Sequence, residues 1–90
     1  PYSLAEQLRT PQGIAAYLNA WFTEAPDHAP GSVRALAEIA HAKGIEQVAR
    51  TAGLGQESLN QALSENGNPS FTTVLKVAHA LGVRLHAEAA

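Results

Sequence analysis

The chain has 90 residues, 46% of them hydrophobic and 16% charged, which suits one small domain spanning 1–90 and leaves no room for a second. It has no cysteine, which excludes disulfides and thiolate metal sites. No apolar run approaches the roughly 18 residues of a membrane span and no signal peptide is present, so a soluble, cytoplasmic protein with no membrane contact is expected. The formal net charge of −2 argues against strong non-specific binding to nucleic acid, because phosphate neutralisation supplies most of that affinity.

The alanine- and leucine-rich composition predicts an all-α fold. Ser3-Leu4-Ala5-Glu6 is a capping box and starts a short helix over Leu4 to Leu8. Thr10-Pro11 is a second start signal, a cap residue followed by proline at the first helical position. From there Ile14, Tyr17, Leu18, Trp21 and Phe22 fall at helical spacing and form one apolar stripe on a helix over Pro11 to Glu24. These first 24 residues form an N-terminal helical extension, and its aromatic stripe must be covered by the core or by a second copy. Ala25 to Gly31, with two prolines and a glycine, is expected as a loop. Ser32 is expected to cap a helix reaching Lys43, with Val33, Leu36, Ala37 and Ala40 facing inward and Gly44 ending it.

Ile45 to Leu63 reads as two short helices joined by a tight corner. Ala49 is small where the two axes must approach. Gly53, just past the first helix, can take the left-handed conformation that redirects the chain. Val48, Leu54 and Leu59 supply a small shared core that fixes the angle. The second helix, expected over Gln56 to Ser64, keeps a polar outer face of Gln56, Glu57, Asn60 and Gln61, side chains suited to base edges. This pattern is a helix-turn-helix; the other structure it fits is an ordinary αα-hairpin of a bundle. Glu65 to Pro69 is a turn, because Pro69 forbids helix at Asn68. Ser70 caps a last helix reaching Leu81, with Phe71, Val74, Leu75, Ala78 and Leu81 expected inward. In the tail, Val83, Leu85 and Ala87 alternate with Arg84 and His86, the pattern of a half-buried strand. Its partner would be Pro1 to Ser3 or the same strand across a subunit interface.

The chain resembles the small addiction-module antidote proteins, antitoxins with a Cro/CI-type, phage-repressor-like helix-turn-helix. The resemblance runs through Thr10-Pro11, Ile14 to Leu18, Ala35-Leu36, Ile39-Ala40, Thr51 to Leu54, Glu57-Ser58-Leu59 and Ala62-Leu63-Ser64. It continues through Gly67-Asn68-Pro69, Phe71, Leu75-Lys76-Val77 and Leu81-Gly82. The order and spacing of these pieces carry it, above all the GNP-x-F turn directly after the motif. It implies a five-helix repressor-like fold, binding to double-stranded operator DNA, and a partner toxin of the RelE/ParE-like superfamily that the protein neutralises while repressing its own operon. The departures lie in the second motif helix: Gly55 replaces a usual serine cap, Gln56 an arginine and Asn60 a tyrosine. In compensation, Gln56, Glu57, Ser58 and Gln61 resemble the glutamine-rich reading helices of phage repressors.

The candidate DNA-binding residues are therefore Gln56, Glu57, Ser58, Asn60 and Gln61, with Gln47 on the preceding helix. Gln56 and Gln61 can each pair bidentately with adenine, Ser58 can reach a phosphate, and Glu57 either accepts from cytosine or favours the helix N-terminus. Arg50 and Lys76 are candidate phosphate contacts. One copy carries too little positive charge, which predicts a homodimer reading half-sites about 34 Å apart. His28, His41, His79 and His86 lack metal-ligand spacing. Ser58 and Ser64 have no histidine nearby, and Asp27 is the one aspartate, so no enzyme, cofactor or metal is expected. The competing function is a protein-interaction module that binds a toxin and no longer binds DNA, a reading that the net acidity favours.

Overall fold

The computed structural model describes residues 3–90, and among them it is all-helical: α1 (Leu4–Gln7), α2 (Pro11–Glu24), α3 (Ala29–Lys43), α4 (Ile45–Ala52), α5 (Gln56–Ala62) and α6 (Phe71–Ala80). Three of the caps read from the sequence form as expected. Ser3 Oγ accepts from Glu6 N–H at 3.2 Å, Thr10 Oγ1 from Gly13 N–H at 3.1 Å and Ser70 Oγ from Thr73 N–H at 3.1 Å. Each satisfies one of the first-turn N–H groups that a helix cannot pair internally.

α3 begins earlier than expected. His28, not Ser32, is its cap: the imidazole Nδ1 accepts from Gly31 N–H at 3.0 Å. The prolines of the expected loop do not prevent this, because Pro30 falls in the first turn, where a missing N–H costs nothing. The early start has a packing consequence. Gly31 lies under the Trp21 ring, and a Cβ there would sit 2.4 Å from Trp21 Cζ3. α2 can approach α3 this closely only where α3 has no side chain.

The core is one apolar cluster drawn from α2 to α6 and from the residues that end helices, Leu8 after α1 among them. Leu8, Ile14 and Leu18 meet Ala35, Leu36, Ile39 and Ala40 of α3, then Val48 and Ala49 of α4, Leu59, Leu63, Val77 and Leu81. No polar or charged residue is buried among the described residues, so the interior carries no desolvation penalty. α2 packs on α3, and α4 packs on α3, α5 and α6. The α2 stripe is only partly internal: Ile14 and Leu18 are buried, Tyr17 and Trp21 pack against the core, and Phe22 stays 40% exposed.

Four further expectations are corrected. Six helices stand among the described residues where the resemblance implies five, the first two of them in the N-terminal extension. α5 stops at Ala62, where Ser64 Oγ donates to the Gln61 carbonyl at 2.8 Å and so helps to close the helix. Phe71 and Leu75 of α6 point outward; the inward line is Val74, Val77, Ala78 and Leu81, and Phe71 is 69% exposed at the helix start. The tail forms no strand among the described residues. Its alternation survives as burial: Val83 and Leu85 are half-buried while Arg84 and His86 are exposed. Val83 is held by the end of α6, its N–H donating to the Ala78 carbonyl at 3.0 Å, with Gly82 N–H on the His79 carbonyl at 3.0 Å. Packing on the core explains the pattern without a ladder. The pairing expected with Pro1 to Ser3 involves Pro1 and Tyr2, which lie outside the described residues.

Tyr17 joins α2 to α3 through its hydroxyl, which donates to Glu38 Oε1 at 2.8 Å. Burial, reinforced by that hydrogen bond and by the Glu38 charge, raises the phenol above its ordinary value. The folded state thus prefers the neutral phenol. This contribution to stability is complete below about pH 10, the unfolded phenol's range, and is lost as pH rises through the higher folded value. Tyr17→Phe should cost about 1 kcal/mol at neutral pH and lessen the decline above about pH 10. Urea unfolding of both proteins at about pH 9 and about pH 11 checks this; an equally steep decline in the variant would remove Tyr17 from the titration.

Candidate nucleic-acid interface

The corner between α4 and α5 is built from backbone hydrogen bonds that only a left-handed residue allows. Gly53 has φ 72° and ψ 32°. Its N–H donates to the Arg50 carbonyl at 3.2 Å, and Leu54 N–H donates to the Ala49 carbonyl at 2.9 Å. This pair of bonds ends α4 as a Schellman motif and satisfies its last carbonyls. Leu54 turns back onto the core, and Ala49 and Val48 are buried where α4 meets its neighbours. Gly55 then opens α5 in extended conformation with no side-chain cap, its carbonyl accepting from Leu59 N–H at 2.9 Å.

α5 is anchored by Leu59, which is buried, and the rest follows from helical phase. Glu57 and Gln61, one turn apart, lie on the side opposite Leu59. Gln56 and Asn60 form a neighbouring row, and Ser58 stands on the other flank. All five are exposed, and among the described residues none of these side chains is engaged in a hydrogen bond within the chain. The face offers amide and hydroxyl groups free to donate and accept.

The other candidates fall on neighbouring helices. Gln47 is exposed on α4. Arg50, also on α4, places Nη2 3.2 Å from Glu46 Oε1, and both side chains are largely in solvent; its positive charge is partly neutralised one turn away. Lys76 is exposed on α6, which packs on α4 as α5 does, so it belongs to a separate element from the α5 face. Sequence reading overlooked two cations that the fold brings to α4: Arg9, just after α1, and Lys43, the last residue of α3, line one cleft together with Gln47. No local spacing signals this, since the residues are distant in the chain.

A family model described as "Probable addiction module antidote protein" matches residues 1–89. The chain belongs to that family. Over 87 residues it is also 39% identical to a protein of Haemophilus influenzae described as "Uncharacterized protein", with 97% of this chain and 88% of the relative covered. No solved structure matches the chain. An antidote acts in a toxin–antitoxin module, so the family implies a toxin as partner in general. No helix among the described residues is long and apolar enough to cross a membrane.

If the left-handed corner sets the angle between α4 and α5, Gly53→Ala should destabilise the protein by about 1–2 kcal/mol, the penalty of a Cβ at positive φ. Open space surrounds that position, so the cost would come from the backbone and not from a clash. A urea midpoint equal to that of the parent would show that the corner tolerates another conformation.

Proposed function

We propose that this protein is the antitoxin of a toxin–antitoxin module and that it represses its own operon by binding operator DNA. In this reading α3 to α6 form a repressor-like domain, α4 and α5 its helix-turn-helix, and α5 the helix that enters the major groove. The observation that carries it is the unengaged polar face of α5, held at a glycine corner, in a chain of the antidote family. Gln56 and Gln61 are assigned to base edges, with Asn60 beside them, Ser58 to a phosphate, and Gln47, Arg50 and Lys76 to the backbone on either side. Glu57 lies in the same face and favours sites with cytosine to donate to it. The toxin is of the RelE/ParE-like class, the setting is the cytoplasm, and neither catalysis nor a cofactor enters.

A second reading, in which the protein binds a toxin and not DNA, is favoured by the net charge of −2 and by the pairing of Arg50 with Glu46. The DNA upstream of the protein's own gene distinguishes the two. Gln56→Ala should weaken binding to that duplex by about 1–3 kcal/mol and leave a scrambled duplex unaffected. Equal loss on both duplexes would sink the base-reading role, and no binding to either by the parent protein would leave the second reading.

The same charge shortage requires two copies for useful affinity, so the DNA-binding species is a two-fold dimer reading half-sites about 34 Å apart. Phe71 and Leu75, one turn apart and exposed on α6, offer apolar surface for such a contact. Sedimentation at micromolar concentration should show a dimer that Leu75→Lys weakens, while a monomer throughout would refute this assembly.

A further inference from the structure

The fold opens a cleft of about 470 Å³ between α1, the α3–α4 junction and the end of α6. Its floor is Leu8 and Val48, both buried core residues. Its polar lining is Arg9, Lys43, Gln47 and Thr51. Three separate segments supply these four side chains, and all four carry N–H or O–H donors. Among the described residues no carboxylate lines the cleft, although the chain has eight acidic residues to six basic ones. The ion pair found among the described residues is Arg50 with Glu46; Arg9 and Lys43 each face the cleft without a carboxylate partner. Both are exposed side chains from separate segments, so the cleft collects two positive charges with no counter-charge in its lining.

We infer that this cleft binds a phosphate group. A guanidinium fork, an ammonium, an amide and a hydroxyl arriving from several directions suit the oxygens of a tetrahedral anion better than the two coplanar oxygens of a carboxylate. The apolar floor lowers the local dielectric beneath the anion and strengthens each contact. The phosphate has two possible sources, the backbone of bound DNA or a free phosphorylated small molecule. The site itself does not depend on whether α5 reads bases.

The test has two arms on the full chain. In the first, inorganic pyrophosphate is titrated into isotope-labelled protein, with chloride at matched ionic strength as the control. Saturable shifts should centre on Gln47 and Thr51, and Arg9→Gln with Lys43→Gln should weaken binding about tenfold or more. The charge-preserving pair Arg9→Lys with Lys43→Arg should keep most of it, which separates loss of charge from loss of structure. In the second arm, binding of the protein's own upstream DNA is followed against salt. A slope shallower by about one per cation in the glutamine double variant assigns the site to DNA phosphate. An unchanged slope beside weakened pyrophosphate binding assigns it to a free phosphate compound. Absence of saturable pyrophosphate binding together with an unchanged slope overturns the proposal. Gln56→Ala should leave the pyrophosphate shifts intact, so failure of base reading and failure of this site are told apart.

Discussion

Much of this molecule depends on how closely other helices can approach α4. Eight residues long, it packs against α3, α5 and α6 at once, and a helix that short cannot hold together in isolation. Its stability must come from its neighbours. Ala49 is 2% exposed, and its small side chain lets them come near; Val48 fills the adjoining space. A larger residue at Ala49 would push the helices apart, and core overpacking typically costs about 1–3 kcal/mol. The Schellman corner at Gly53 follows from the same requirement. A chain leaving α4 must turn at once for Leu54 to return to the core and for Leu59 to reach it from α5. The polar face of α5 is what remains outside once those apolar residues are placed.

The electrostatics push in the opposite direction to a simple DNA-binding surface. The six basic residues are scattered over α3, α4, α6, the link between α1 and α2, and the tail, and the cation nearest the corner, Arg50, is paired with Glu46. Exposed pairs of this kind add little to stability, so the effect of Glu46 is mainly to lower the local positive potential. A surface with amides in place of arginines gains little from counterion release and relies more on hydrogen bonds to base edges. For a given interface, that lowers non-specific affinity more than it lowers discrimination. Gln56 at the position where the family resemblance suggests arginine is a change in this direction.

Local features of the fold were legible in the sequence, and non-local ones were not. Ser3, Thr10 and Ser70 are recognisable because a hydroxyl three residues before a free N–H does the same work in any chain. Gly53 is recognisable because the left-handed region is nearly closed to other residues. His28 was missed because an imidazole is an unusual cap: neutral Nδ1 can accept, but the residue is absent from the usual cap preferences. Phe71 and Leu75 were placed inside because they lie on the edges of an apolar stripe, and helical phase alone does not say how wide a stripe the neighbours cover. The tail misled for a related reason. Alternating burial is what a strand produces, but an extended segment laid across a core produces it too. The exposed candidates on α5 are legible by phase; which helices Arg9 and Lys43 meet depends on tertiary packing that no local pattern encodes.

The N-terminal extension shows what that packing adds. Its helices are joined to the rest by contacts of quite different kinds: Leu8, Ile14 and Leu18 in the core, the Tyr17–Glu38 hydrogen bond, and the Trp21 ring lying on Gly31. The Trp21 contact requires α3 to begin at Ala29, so the unexpected His28 cap and the docking of α2 support one another. A segment anchored at several points along its length does not swing as an appendage. Leu8 is 2% exposed, so the chain is held firmly immediately before Arg9. That anchoring limits where the guanidinium can reach and keeps it on the side of α4 that carries Gln47 and Thr51. The extension thus covers one flank of the core and also sets Arg9 there as a second positive charge beside Lys43 of α3.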